Sequence, residues 1–505
     1  MFETAELGQT VSKEEFHAQA PELRERLLEA QLQLRTADFP VLVLFAGVDG
    51  AGKGEMTNLL NEWLDPRGIV TRAYSRPSEE EDERPEFWRF WRDLPPRGHI
   101  GIVLSAWYSR PLLQRAFGET DVAELDHQLE KIQVFERMLV DDGALIVKFW
   151  MHLGKVQQKE RLAALEADPL QNWRVTKRDW KHYKMYGKFV SAAERIIMRT
   201  STGEAPWTLV EGMDRRYRSL KVSTTLLAEV ERRLAQVPRP QPAPIAVGSS
   251  GSGAEAIPRL EVTQDTILSR IDLSQALPKK EYASELQRLQ ARLNALHREA
   301  ADRKISTILL LEGWDAAGKG GAIRRITNAL EARLYQVIST GPPTDEEQAR
   351  HYLWRFWRHL PRAGRFTIYD RTWYGRVLVE RVEDLATESE WRRAYAEINY
   401  FEQELVDHGD VLVKFWLHIS HAEQERRFKA REETSYKRWK LTDDDWRNRD
   451  RWPDYERAVD DMVERTSTEG APWHLVAGDD KRHARIKLLN VICDKLENRL
   501  QDKKD

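Results

Sequence analysis

The chain of 505 residues contains a single cysteine, Cys493, so no disulfide can form within it, and a reducing compartment suits it. It has no apolar run approaching the roughly 18–20 residues that a spanning helix needs. Its first residues, Met1-Phe2-Glu3-Thr4-Ala5-Glu6, supply neither a basic nor an apolar leader region. An excess of one charge sign is also missing. The net charge of −3 gives no global attraction to nucleic acid or an anionic membrane, so any basic character must be local. The expectation is a cytoplasmic protein with neither of those partners. The length suffices for two domains of ordinary α/β size, each with a full core.

What the chain does have, it has twice. Gly47-Val48-Asp49-Gly50-Ala51-Gly52-Lys53-Gly54 follows the apolar run Val41-Leu42-Val43-Leu44-Phe45, and Gly313-Trp314-Asp315-Ala316-Ala317-Gly318-Lys319-Gly320 follows Thr307-Ile308-Leu309-Leu310-Leu311. Each fits strand, glycine-rich turn, lysine and helix, the arrangement in which loop N–H groups and a helix N-terminus cradle phosphate oxygens. In the second copy the cradle is Gly313, Ala316, Ala317, Gly318, Lys319 and Gly320. Both loops lack the Ser or Thr that ordinarily follows the lysine and ligates Mg²⁺; Gly54 and Gly320 stand there. Both also carry an internal carboxylate, Asp49 or Asp315. An aspartate among phosphates is repulsive unless a divalent cation lies between them, so the loop implies its own Mg²⁺ arrangement.

The halves align without a gap over a long stretch. Lys53 and Lys319 lie 266 residues apart, and the same offset maps Trp88-Arg89-Phe90-Trp91-Arg92 onto Trp354-Arg355-Phe356-Trp357-Arg358 and Val147-Lys148-Phe149-Trp150 onto Val413-Lys414-Phe415-Trp416. So long a period in two copies is a domain duplication. Between them, Pro238-Arg239-Pro240-Gln241-Pro242-Ala243-Pro244 and Gly248-Ser249-Ser250-Gly251-Ser252-Gly253 can bury no core and read as a linker. The division is residues 1–237, a linker at 238–256, and 257–505.

In the second half, strand-like runs near 307–311, 335–339, 366–370, 411–416 and 473–477 alternate with helical periods at 319–333, 390–408, 421–432 and 454–465. Short buried strands separated by helices predict a parallel sheet covered on both faces. Leu286, Leu289, Leu293 and Leu296 share one face of a preceding helix that packs on the core.

Ligands of open parallel sheets bind beyond the carboxyl ends of the strands. There the third strand ends in Tyr369-Asp370-Arg371-Thr372-Trp373-Tyr374-Gly375-Arg376. Asp370 completes a Mg²⁺ site with Asp315, since Mg²⁺ takes one or two carboxylates plus phosphate oxygens and water; Arg371 and Arg376 offer planar forks for phosphate. A basic stretch with Arg431, Lys437, Lys440 and Arg449 follows the fourth strand, where kinase lids supply cations to the transferring group; by composition alone such a run is more often a solvated face. Lys414, inside an apolar strand, either snorkels from the sheet end or holds phosphate. The aromatics Trp354, Phe356, Trp357, Trp373, Trp416, Trp439, Trp446, Trp452 and Trp473 read as core or lid packing before base stacking, and His418 and His421 as structural.

Together these residues resemble one family. The loop Glu312-Gly313-Trp314-Asp315-Ala316-Ala317-Gly318-Lys319-Gly320-Gly321, with Asp370-Arg371-Thr372-Trp373-Tyr374-Gly375-Arg376, Lys414-Phe415-Trp416-Leu417-His418-Ile419-Ser420, Arg438-Trp439-Lys440-Leu441 and Arg465-Thr466-Ser467-Thr468-Glu469-Gly470-Ala471-Pro472-Trp473, is similar to the polyphosphate kinase 2 family over about 280–495. The fused arrangement resembles the subgroup acting as polyphosphate:AMP phosphotransferase. The resemblance implies two tandem P-loop kinase-like α/β domains with a helical lid, and Mg²⁺-dependent phosphoryl transfer from inorganic polyphosphate to AMP, giving ADP. It implies that Asp315, Lys319, Asp370 and Arg371 act in catalysis. The first half departs where this matters: Leu104 stands for Asp370, Ser105 for Arg371, Gln114 for Glu380, Arg174 for Lys440 and Glu55 for Gly321. It reads as catalytically degenerate, retaining polyphosphate binding or standing in for the partner of a dimer; a homo-oligomer is the expected assembly. The competing readings are an ATP-dependent nucleoside monophosphate kinase of the thymidylate-kinase type and a non-catalytic polyphosphate-binding module.

Overall fold

The structure, a computed structural model, describes residues 1–236, 266–433 and 443–502. The 238–256 linker therefore lies outside the described residues, as do Lys437, Trp439 and Lys440. The chain divides into two compact units. One comprises Met1–Pro77, Arg89–Ser249 and Asp345–His351; the other comprises Ser78–Trp88, Ser250–Thr344 and Tyr352–Asp505. Two short segments, 78–88 and 345–351, thus group away from the rest of their own half.

Each half builds one five-stranded parallel sheet. The first contains β1 (Val41–Gly47), β2 (Ile69–Ala73), β3 (Ile100–Leu104), β4 (Leu145–His152) and β5 (Trp207–Glu211), in the order β2-β3-β1-β4-β5. The second contains β6 (Thr307–Gly313), β7 (Tyr335–Ser339), β8 (Phe366–Asp370), β9 (Val411–His418) and β10 (Trp473–Ala477), in the order β7-β8-β6-β9-β10. The orders are the same. In both, the strand leading into the phosphate loop is central, and its near-continuous apolar sequence follows from burial on both faces: residues 307–312 of β6 are all buried. Thr307 pairs with Phe366 on one side and Val411 on the other, a register that sets Asp370 of β8 opposite Leu311, just before the loop.

Helices cover the sheet. Leu289, Leu293 and Leu296 of Lys279–Asp302 are buried, and that helix packs along Lys481–Asp502, joined by Arg292 to Asp494 and Glu497. The helix expected over 319–333 ends at Thr327. The side-chain amide of Asn294 takes the Ala329 carbonyl oxygen at 2.8 Å, and tight turns at Ala329 and Leu330 bury both side chains. Tertiary capture of the backbone there outweighs the helical period of the sequence.

Lys414 neither snorkels nor faces the loop. Its side chain is fully buried and donates to Glu402 Oε2 (2.7 Å), to the Tyr374 hydroxyl (3.0 Å) and to the Thr466 carbonyl (2.6 Å). Glu402 in turn accepts from Trp373 Nε1 at 3.0 Å and the Tyr374 hydroxyl at 2.6 Å. The first half repeats the network with Lys148, Glu136, Trp107, Tyr108 and Thr200. Burial pushes the Lys414 ammonium below its ordinary range and the Glu402 carboxyl above its own, while their mutual attraction opposes both shifts. Truncating one member strands the other charge. Lys414→Met should therefore destabilise the second half by about 3–5 kcal/mol, and Lys148→Met the first half by a similar amount, read from urea unfolding. Losses below about 1 kcal/mol would show that the pairs are dispensable.

Candidate active site

The second loop is built by close approach. Gly313 ends β6 at φ 149°, and a Cβ there would lie 2.5 Å from the Leu417 carbonyl oxygen of β9, so glycine is required. Ala316 takes φ 63° and Ala317 is buried beneath the loop. Gly318, at φ 116°, is the N-cap of the helix Lys319–Thr327, with Gly320 in its first turn. Lys319 Nζ folds back onto the carbonyls of Gly313 (2.6 Å) and Trp314 (3.4 Å). The loop N–H groups and the positive end of the helix dipole are the chemistry that attracts an anion.

Asp315 and Arg371 come together as the sequence implies: Arg371 Nη2 lies 3.5 Å from Asp315 Oδ1, with Arg371 59% exposed and free to turn to a ligand. Arg371 adopts φ 66° directly after β8, so a left-handed residue turns the chain back over the loop. Asp370 ends β8 in register with Leu311, at the same end of the sheet. The donor set of two carboxylates with oxygen ligands only suits a hard divalent cation completed by phosphate oxygens and water.

Three side chains that the sequence reading left out of the site belong to it. Glu312, buried at the end of β6, accepts the backbone N–H of Thr372 at 2.7 Å and so fixes the turn that carries Arg371. Burial raises its carboxyl above the usual range, against Lys319 and the Thr372 hydrogen bonds. Arg427, 4% exposed, donates to the loop carbonyls of Ala316 (2.9 Å) and Ala317 (2.8 Å) and to those of Gly478 and Asp479. Asn448 donates to Asp315 Oδ2 at 3.2 Å. The fixed offset held a signal for Glu312 and Asn448: their counterparts are Ala46 and His182, while the Thr372 that Glu312 holds is matched by Ala106.

Two expected phosphate ligands are committed elsewhere. Arg376 sits between Glu380 (2.9 Å) and Glu390 (3.6 Å) and over the Tyr352 ring. Arg449 is buried and donates to the His421 carbonyl at 2.6 Å and to Glu425 at 2.9 Å, which locks the helix Asp443–Asp450 to the helix His421–Glu433. Arg376 is held by a carboxylate one helical turn further on as well as by Glu390, distant in sequence, and Arg449 by one that the fold brings near. Arg431 remains half-buried on the outer part of the helix His421–Glu433, near the Phe428 ring. Of the aromatics, Trp354, Phe356, Trp357, Trp373, Trp416 and Trp473 are core. Trp452 stacks on Trp314 of the loop at 3.6 Å and 10°, and Trp446 meets Phe428.

The strand order, the central loop and the clustered lysine, aspartate and arginine define a phosphotransferase of the P-loop kinase type. The polyphosphate kinase 2 (PPK2) family profile matches residues 10–238 and again 276–504. The chain belongs to that family. It is 50% identical over 502 residues to the polyphosphate:AMP phosphotransferase of Pseudomonas aeruginosa, covering 98% of this chain and 99% of that one. It is 36% identical to the Acinetobacter johnsonii protein of the same name, over 93% and 95% of the two chains. A crystal structure described as a polyphosphate kinase 2 of Pseudomonas aeruginosa superimposes with a TM-score of 0.88 at 48% identity, covering 100% of both chains.

His418 links the loop to acid stability. Its Nδ1 lies 3.0 Å from Trp314 Nε1, which is a donor only, so this ring nitrogen must carry its lone pair and the imidazole is neutral. Burial pushes its pKa down to about 4 from 6.5. The unfolded chain therefore binds this proton between those values while the folded chain does not, and stability falls as pH falls through that window. His418→Gln should lose less stability than wild type between pH 6.5 and 4, by up to about 3 kcal/mol, measured as urea midpoints along a pH series. Parallel curves for the two proteins would remove His418 as a cause.

Proposed function

We propose that the second half transfers the terminal phosphoryl group of inorganic polyphosphate to AMP, giving ADP and a chain one phosphate shorter. The observation that carries this is the set Lys319, Asp315, Asp370 and Arg371 on one sheet end, in a chain half-identical, over its whole length, to a relative named for that reaction. The acceptor is a phosphate already ionised at neutral pH, so the reaction needs no general base. It needs two mutually repelling anions held in line and their charge offset.

The residues divide that work. The N–H groups of the loop Gly313–Gly320 and the helix dipole hold donor oxygens. Lys319, released from its two carbonyls, follows the transferring group, and Arg371 swings from Asp315 to the equatorial oxygens as their charge grows. Glu312 and Arg427 keep the turn and the loop in place throughout. Asp315 and Asp370 would hold Mg²⁺, which supplies charge neutralisation between donor and acceptor oxygens. Arg431 lies on the basic side along which the polymer runs, while Arg449 serves as an internal brace; Lys437 and Lys440, assigned to the polymer from the sequence, lie outside the described residues. The absence of a hydroxyl at Gly320 argues for polyphosphate over ATP as donor. The site of action we assign is the cytoplasm, where AMP is available to a chain with one buried thiol.

The test is turnover of AMP with long-chain polyphosphate, Mg²⁺ and no ATP; dependence on ATP would favour a nucleoside monophosphate kinase. Asp370→Asn should lower kcat by about 10²–10³, the cost of one preorganised electrostatic group, with folding intact, and near-wild-type turnover at low Mg²⁺ would take Asp370 out of the site.

We read the first half, residues 1–237, as catalytically degenerate and the second, 257–505, as the working copy. Lys319→Ala should then abolish ADP formation while Lys53→Ala leaves it largely intact. Equal loss from both folded variants would refute the division.

A further inference from the structure

The first loop keeps Lys53, Gly47 and Gly52, yet where the second loop has Gly321 it has Glu55. Three guanidinium groups meet on that carboxylate. Arg161 Nη2 is 2.8 Å and Arg174 Nη2 2.7 Å from Oε1, and Arg218 Nη2 bonds Oε2. They arrive from three separate elements: the helix Lys155–Ala167, the turn Asn172–Arg174 and the helix Arg215–Ala235. Arg218 is 1% exposed, and its buried Nε has no hydrogen-bond partner. It lies so near the loop that a Cβ on Gly52 would come within 2.6 Å of that Nε.

A carboxylate offers one negative charge to three cations and to the N-terminus of the helix Lys53–Trp63 behind it. The excess positive charge is the complement of a phosphate chain, not of a single glutamate. Among the described residues the second half is built differently, with Arg485 approaching Gly321. Arg427, the counterpart of Arg161, is spent on backbone carbonyls of its loop, and Ala484 stands where the first half has Arg218. The catalytic parts have meanwhile gone. Leu104 replaces the strand-end aspartate, and His182 Nδ1 sits 2.7 Å from Asp49 Oδ2, occupying the remaining carboxylate.

We propose that the first loop is a phosphate-chain site filled by the protein's own anion: Glu55 stands where a phosphate would lie, and its removal opens a second, metal-independent and non-catalytic site for a linear inorganic phosphate chain. The proposal rests on reading the first half as degenerate. Failure of that reading is seen separately, as loss of turnover in Lys53→Ala, whereas failure here is seen in binding.

The experiment is calorimetric titration of the full chain with tripolyphosphate in EDTA. Glu55→Gly should bind one equivalent more than wild type, at least tenfold tighter than any binding of wild type at this loop, and adding Lys53→Ala should remove that equivalent. Its melting temperature, lowered by three unpaired arginines, should recover with tripolyphosphate and not with sulfate at equal ionic strength. Glu55→Gln, which keeps size and helix propensity, decides in the same way if the glycine variant does not fold. Unchanged stoichiometry in a folded variant, or equal rescue by sulfate, would overturn the proposal and leave Glu55 a structural ion-pair centre.

Discussion

The buried ammonium–carboxylate pair at the heart of each half is the interaction on which the rest depends. Lys414 on β9 reaches Glu402 of the helix Glu388–His408, the hydroxyl of Tyr374 in the turn after β8, and the carbonyl of Thr466 at the end of the helix Trp452–Thr466. Four elements share one proton network in a low-dielectric interior, where each partner is costly to lose. Trp373 joins through the same carboxylate. The turn carrying Asp370 and Arg371 is therefore pinned from below, by groups that never meet a ligand. Glu312 pins it from the loop side through Thr372. Between these anchors the strand end can hold a strained residue such as Arg371 in one orientation.

Much of this was legible in the sequence. Strands flanked by helices stood out because β6 and β9 are buried on both faces and are therefore mostly apolar, Glu312 and Lys414 being exceptions with their own hydrogen-bond partners; the expected runs at 335–339, 366–370 and 473–477 coincide with β7, β8 and β10. The loop, with its lysine and internal aspartate, was readable because backbone geometry and phosphate chemistry restrict those positions to few residue types. What the sequence could not disclose was which partner each long cation would choose. Lys414, Arg376 and Arg449 all looked available for phosphate, and each is claimed by a carboxylate: Glu402 and Glu425 are brought near Lys414 and Arg449 by the fold, while Glu380 stands four residues from Arg376. Arg427 is the converse case: one arginine in a basic run, it proves to be the brace of the loop. The early end of the helix at Thr327 has the same origin, a side chain from another helix intercepting a backbone carbonyl.

The two halves show scaffold and chemistry separating cleanly. Every member of the buried lysine network is kept in both copies, with hydrogen bonds matching to within 0.1 Å. The residues that differ, Glu312 against Ala46, Thr372 against Ala106 and Asp370 against Leu104, all line the strand ends. The buried lysine network passes through none of these side chains, and the pair that does bond, Glu312 with Thr372, is exchanged as a unit for Ala46 and Ala106, so the first copy carries Leu104 in place of Asp370 and remains a well-packed domain.

The stacked pair Trp314 and Trp452 carries a consequence of a different kind. Two indoles 3.6 Å apart and almost parallel share their electronic excitation, so they absorb and rotate light as one chromophore rather than two. The first half has Val48 and Tyr186 at these positions and can form no such pair. In a molecule whose halves otherwise mirror one another, the near-ultraviolet spectrum therefore has a built-in label on the second loop alone, one that dims whenever the loop and the helix beneath it part company.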